Sequence, residues 1–255
     1  MAFDKEDEEE GYVIVTEETG YRNLEKKRNH ALIEPDYDAW FAGLSADTRI
    51  DPDFVNGYLR DRMRAVGEKA SRLTGKPYVE PDFYFNDDLG DAIAGATYID
   101  KKGDAKGIAF NPSITEDYEQ TKMVAGHEAI HAVQKGLHVL ADVYAELTDE
   151  RTGQSYLFAI GRAIAEGDNE FTSEAIGEGA TGAYSEELGL ARGLDSIYPN
   201  KRLFRTAENQ DYETLEKMLN YEEAKGVIDS YLKSKLGRAG RAYTSSEMVY
   251  APASE

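Results

Sequence analysis

The sequence predicts an α+β fold: a short, mostly antiparallel sheet, then one apolar helix, then a helical C-terminal half. Three observations predict it. Residues 94–99 (Ala-Gly-Ala-Thr-Tyr-Ile) and 107–110 (Gly-Ile-Ala-Phe) are short β-forming runs on either side of the turn Lys101-Lys102-Gly103-Asp104. Residues 123–133 are an apolar run carrying two histidines four positions apart. Beyond residue 139 the pattern reads as helical to residue 190, with breaks near Thr152-Gly153 and Gly167-Asp168.

In chain order, residues 1–20 form an acidic lead whose one apolar patch, Tyr12-Val13-Ile14-Val15, suits an edge strand or a solvated tail. Residues 36–44 hold the lone tryptophan, Trp40, beside Phe41, and read as a short packing helix. Asp51-Pro52 opens a helix to about residue 73, because an N-cap aspartate followed by proline is a start signal. Phe54, Tyr58, Met63 and Val66 supply its apolar face, Gly75-Lys76-Pro77 stops it, and 78–85 reads as a strand interrupted by Pro81. Ser113 and Glu116 are spaced as a capping box before the apolar helix, which runs to about Lys135 and stops at Gly136. An amphipathic helix follows over 211–236, with Leu215, Met218, Leu219, Val227 and Tyr231 on its packing face, and residues 243–255 read as an extended tail.

The apolar helix carries the chemistry. Residues four apart on a helix lie about 40° apart around the axis and roughly 6 Å along it, so the imidazoles of His127 and His131 can close on one ion. Glu128 projects beside that clamp, where a carboxylate can take a proton from water and act as a general base. Zinc suits imidazole donors, and an open coordination position lowers the pKa of bound water to about 7. The competing reading is a polar helix face that happens to hold two histidines. The apolar surroundings weigh against it, because both rings would then be buried without a partner.

His127-Glu128-Ala129-Ile130-His131 resembles the active-site helix of the zincin superfamily of metallopeptidases. The resemblance spans roughly residues 78–190, and only the five-residue motif is specific. It implies a zincin-like fold, one Zn2+ ion, peptide-bond hydrolysis with Glu128 as base, and an extended peptide or protein substrate lying along an edge strand before the helix, either 94–99 or 107–110. It also implies one catalytic domain over 21–240, between the acidic segment 1–20 and the tail 241–255.

The third ligand is a fork. Glu178-Gly179 resembles the Glu-Gly stretch that supplies the third ligand in gluzincins, the zincins with a glutamate there, and the resemblance assigns the role to Glu178. Gly177, Gly179 and Gly182 weaken a helix by about 1 kcal/mol each, so they suggest a close helix approach, unless they mark a plain loop with Glu178 in solvent. Position 182 lacks the aspartate usual in gluzincins, and the Gly-x-Met-Glu-Asn aminopeptidase motif is absent. Glu174, one turn earlier, is an alternative. His138 is another: seven residues after His131, it can reach the ion only if the chain turns back near Gly136, as in metzincins. Ser246-Glu247-Met248-Val249-Tyr250 resembles the metzincin Ser-x-Met-x-Tyr turn and would make Tyr250 a candidate for stabilising the oxyanion.

Composition narrows the partners. A net charge of −20 makes nucleic-acid phosphate a poor partner. With no cysteine there is neither a disulfide nor a thiolate site, so a metal must be held by histidine and carboxylate. The opening residues lack a signal-peptide pattern and no stretch reaches eighteen apolar residues, so the expectation is a cytoplasmic protein that does not enter a membrane. Two other function classes remain: a metal-binding regulator or degenerate zincin acting on one protein partner, and a helical interaction protein with an accidental motif.

Overall fold

The computed structural model describes residues 12–15, 52–89, 93–116, 118–238 and 242–251. The expected helix around Trp40, the capping residue Asp51, and the rest of the acidic lead lie outside the described residues. Helices and small sheets alternate in an α+β arrangement that divides into two units, each with its own core.

The first unit holds residues 12–15, 52–134 and 176–178 of those described. Strand β1 (Tyr12–Val15) is followed by helix α1 (Pro52–Thr74). The helix buries Val55, Leu59, Met63, Val66 and Ala70, a run of steps of three and four that lines one face. Met63 and Val66 are on the expected face, whereas Tyr58 is only half-buried. Strands β2 (Asp82–Phe85), β3 (Gly95–Ile99) and β4 (Ala105–Phe110) complete a sheet of order β1-β3-β4-β2. Its β1–β3 and β3–β4 pairs are antiparallel and its β2–β4 pair is parallel, so the sheet is mostly antiparallel.

The hairpin β3–β4 turns where the sequence places it. The Asp100 carboxylate accepts from the amides of Lys102 and Asp104 at 2.8 and 2.9 Å and fixes the turn. Neither strand is the expected free edge, because β3 also pairs with β1 and β4 with β2.

Phe83, Phe85, Ile108 and Phe110 from this sheet share a core with α1 and with helix α2 (Tyr118–His131), through Ala125, Ala129 and Ile130. Before α2 the chain makes a 3-10 turn, Pro112–Glu116. The capping acceptor there is Asn111, whose side-chain oxygen takes the Ser113 amide at 3.0 Å. Helix α2 ends four residues short of the expected Lys135, as Val133 and Gln134 donate three residues back instead of four.

The second unit holds residues 135–175 and 179–251 of those described. A short helix α3 (Leu137–Leu140) leads into a hairpin of β5 (Val143–Asp149) and β6 (Ser155–Phe158). This corrects the helical reading of 139–190. Val143, Ala145 and Leu147 are buried while Tyr144 is half-buried and Glu146 exposed, an alternation of period two. The break at Thr152-Gly153 is the hairpin turn, held by amides of Arg151 and Thr152 on the Asp149 carboxylate.

Helix α4 (Ile160–Ala175) passes through Gly167 and Asp168 unbroken, and α5 (Ser185–Ile197) packs on it. A Cβ on Gly167 would stand 1.9 Å from the Glu187 carbonyl oxygen, so this glycine permits the close approach of the two helices. The expected helix 211–236 is two helices. After α6 (Arg202–Glu208) come α7 (Tyr212–Leu219) and α8 (Glu222–Arg238), broken at Asn220-Tyr221. Asn220 explains the break: its amide group exchanges two hydrogen bonds with the backbone of Met248, at 2.8 and 2.9 Å.

Met248 belongs to β7 (Tyr243–Tyr250), which pairs antiparallel with β5 in a sheet of order β6-β5-β7. Residues 243–250 are therefore a sheet strand and not a tail, and Ser246 to Tyr250 is not a turn. Among the described residues no helix is long and apolar enough to cross a membrane.

Candidate metal centre

Helix α2 is buried where it carries the motif, and His127 and His131 are 7% and 1% exposed. One turn apart, their rings stand edge to face at 4.7 Å between centroids, with the two Nε2 atoms 3.1 Å apart. The Nδ1 of His131 lies 2.5 Å from the side-chain oxygen of Gln134. An amide oxygen only accepts, so the His131 proton sits on Nδ1 and its Nε2 presents a lone pair toward His127.

That arrangement fits a divalent cation. Two nitrogens at 2.0–2.1 Å from a tetrahedral zinc are about 3.3 Å apart, close to the separation of the two Nε2 atoms. Gln134 is a residue that sequence reasoning missed. The available signal was its place three residues after His131 in the apolar stretch Ala132-Val133-Gln134, where a buried amide needs a partner.

Glu128 is 2% exposed and leans on strand β3. Its Oε2 accepts from the Thr97 hydroxyl at 2.7 Å. A Cβ at Gly95 would lie 2.9 Å from Glu128 Cγ and 3.0 Å from Oε1, so the glycine leaves the space that the carboxylate occupies. A buried carboxylate held on the same helical turn as His127 and His131 is of the kind that can accept a proton from a reacting water and return it to a leaving group.

Among the described residues one group of side chains is spaced to hold a metal ion. One ligand atom each of His127, His131 and Glu166 lies within 4.8 Å of the others, and all three residues are buried. Glu166 stands in mid-α4, after Ala163, Ile164 and Ala165. Two imidazoles and one carboxylate are a donor set that suits zinc with one position left open.

The carboxylate in this group is not the expected Glu178. That residue sits in the loop after α4, where Gly177, Gly179 and Gly182 adopt φ near +80° with nothing within 4 Å of an added Cβ. These glycines serve a left-handed loop and not a helix approach. Glu178 pairs with Arg62 at 2.7 Å and with Lys69, both on α1. Burial raises its pKa, but the two cations outweigh that and hold it below the ordinary glutamate range.

Of the alternatives, Glu174 pairs with Arg192, and His138 is buried with its Nε2 3.4 Å from the Gln210 amide nitrogen. Neither belongs to the group. The ring of Tyr250 stacks on Tyr212 at 4.1 Å between centroids.

Comparison with protein-family models, curated proteins and solved structures found no match for this chain.

Proposed function

We propose that this chain is a zinc-dependent peptidase with His127, His131 and Glu166 as metal ligands and Glu128 as general base. One observation carries the reading: ligand atoms of three buried residues, of the kinds zinc prefers, gather within 4.8 Å, and the residue after the first histidine is a buried glutamate. Perturbable polar groups gathered in a buried place are the kind of arrangement that marks a functional site. We further propose that the sheet followed by the motif helix is zincin-like, with the antiparallel hairpin ahead of α2 as its support.

When bound, zinc polarises a carbonyl and brings the pKa of a coordinated water near 7. The chain's own residues do the rest. His127 and His131 would hold the ion, and Gln134, accepting at Nδ1 of His131, keeps that ring's proton there. Glu128 takes a proton from the attacking water and passes it to the departing amine, which must leave protonated at neutral pH. Peptide and protein chains are the proposed substrates.

The test pairs metal analysis with turnover. Protein purified without added metal should carry about one zinc per chain by the three-ligand reading, and should cleave a broad peptide library. Glu128→Gln should keep the zinc and lose turnover by about 10²-fold or more. Near-normal hydrolysis by that variant, or a chain that binds no metal, overturns the proposal.

A further inference from the structure

We propose that Thr97 is a positioning residue for Glu128, and that Gly95 shapes the seat in which Thr97 holds it. The inference rests on the peptidase reading and names the part of β3 on which that reading depends. Two independent features of the same strand bear on one carboxylate. Thr97 donates to Oε2 at 2.7 Å, and Gly95, two residues earlier on the same face of the strand, leaves room for Cγ and Oε1.

A hydroxyl has one proton to donate. The Thr97 oxygen is also 3.2 Å from the Glu128 main-chain carbonyl, but the carboxylate is nearer and, when charged, the stronger acceptor. Thr97 is 0% exposed and Glu128 2%, so water does not compete for this bond. Threonine is stiff at χ1, which makes it a fixed donor. Rotation about the Cγ–Cδ bond moves both oxygens, so holding Oε2 also resists the turning of Oε1, which lies where a Cβ on residue 95 would crowd it.

A hydroxyl also orients a base without placing a full positive charge against it. A lysine or arginine at position 97 would hold the carboxylate equally well and make it a weaker proton acceptor. Thr97 and Gly95 thus preorganise Glu128 for a proton transfer in which a displacement of about 1 Å costs about 10²-fold in rate.

The alternative is that Thr97 merely straps β3 to α2, and the experiment separates the two. Zinc content, kcat and KM are measured for Thr97→Val, Thr97→Ser and Gly95→Ala. Thr97→Val should keep its zinc and its KM while kcat falls about tenfold or more, and Thr97→Ser should recover most of that loss. Gly95→Ala should also lower kcat at constant zinc.

A second readout needs no activity. In urea unfolding of metal-free protein, Thr97→Val should lower the midpoint more in the wild-type background than in Glu128→Ala, where the carboxylate is gone and only the main-chain carbonyl remains to accept.

An unchanged kcat in Thr97→Val, equal losses in Thr97→Val and Thr97→Ser, or the same midpoint shift in both backgrounds overturns the positioning role. A zinc-loaded wild type that cleaves no peptide is a different failure. It removes the peptidase reading and the role of Thr97 with it, whereas an active wild type with an unaffected Thr97→Val removes only the role.

Discussion

Replacing Glu166 and Glu178 separately should have opposite consequences, because one carboxylate belongs to the histidine group and the other to an ion-pair cluster. Zinc sites of the structural kind are worth about 10–16 kcal/mol, so one of three protein ligands contributes on the order of 4 kcal/mol, or about 10³-fold in affinity. Glu166→Ala should therefore surrender its zinc to a chromophoric chelator at a concentration that leaves the wild type loaded. Glu178→Ala should keep its zinc and lose stability instead. Its carboxylate is 12% exposed and Arg62 17%, so the deletion strands a largely buried guanidinium and should cost about 2 kcal/mol.

The pH dependence follows from the same pair. The folded pKa of Glu178 is depressed, burial notwithstanding, by Lys69 and Arg62. A depressed carboxylate contributes stability that is present above its unfolded pKa and is lost as pH falls through the folded value. The stability gap between wild type and Glu178→Gln should thus be full at neutral pH and close in acid, below the ordinary glutamate range. Chelator competition and urea unfolding at several pH values read both quantities. Zinc loss from Glu178→Ala with retention by Glu166→Ala would refute the ligand assignment.

Gln134→Leu should weaken zinc binding by about 10–100-fold without unfolding the chain, because His131 loses the acceptor that fixes its tautomer; the same chelator titration measures it. Gly167→Ala should lower the stability of the chain far more than Gly177→Ala in urea unfolding. The first puts a methyl 1.9 Å from a backbone oxygen, whereas the second meets only the cost of a left-handed residue, about 1–2 kcal/mol.

The first half of the chain was legible because its signals are local. Proline at the first turn, a glycine stop and steps of three and four set α1, and the β3–β4 hairpin is written in its turn. The errors gather where a partner distant in sequence decides. Val143, Ala145 and Leu147 alternate over too short a span to declare a strand by themselves, and β5 exists because β6 and β7 pair with it on both sides. Residues 243–250, polar and close to the end, become a strand for the same reason. Asn220 divides a helix only because the backbone of Met248 is there to receive it.

The expected third ligand, Glu178, and the carboxylate grouped with the histidines, Glu166, differ on this point too, and the difference is instructive about glycine. Glu166-Gly167 and Glu178-Gly179 have the same two-residue context, and a glutamate followed by glycine cannot by itself say why the glycine is there. At 167 the glycine is pressed against the Glu187 carbonyl and lets α4 pack tightly while Glu166 stays buried. At 179 it takes a positive φ in open space and lets the chain leave the helix. The discriminating signal lay in the flanks. Glu166 follows Ile160, Ala163 and Ile164 on a helix with twelve of its sixteen residues buried. Glu178 stands in a run of three glycines, and nearby Arg62 and Lys69 satisfy its charge. A carboxylate buried in mid-helix is drawn out of water by the packing of its helix, whereas one in a glycine-rich loop can meet its cations at the surface. Burial of the helix around a glutamate is thus a better guide than the residue that follows it to which glutamate gathers with the two histidines.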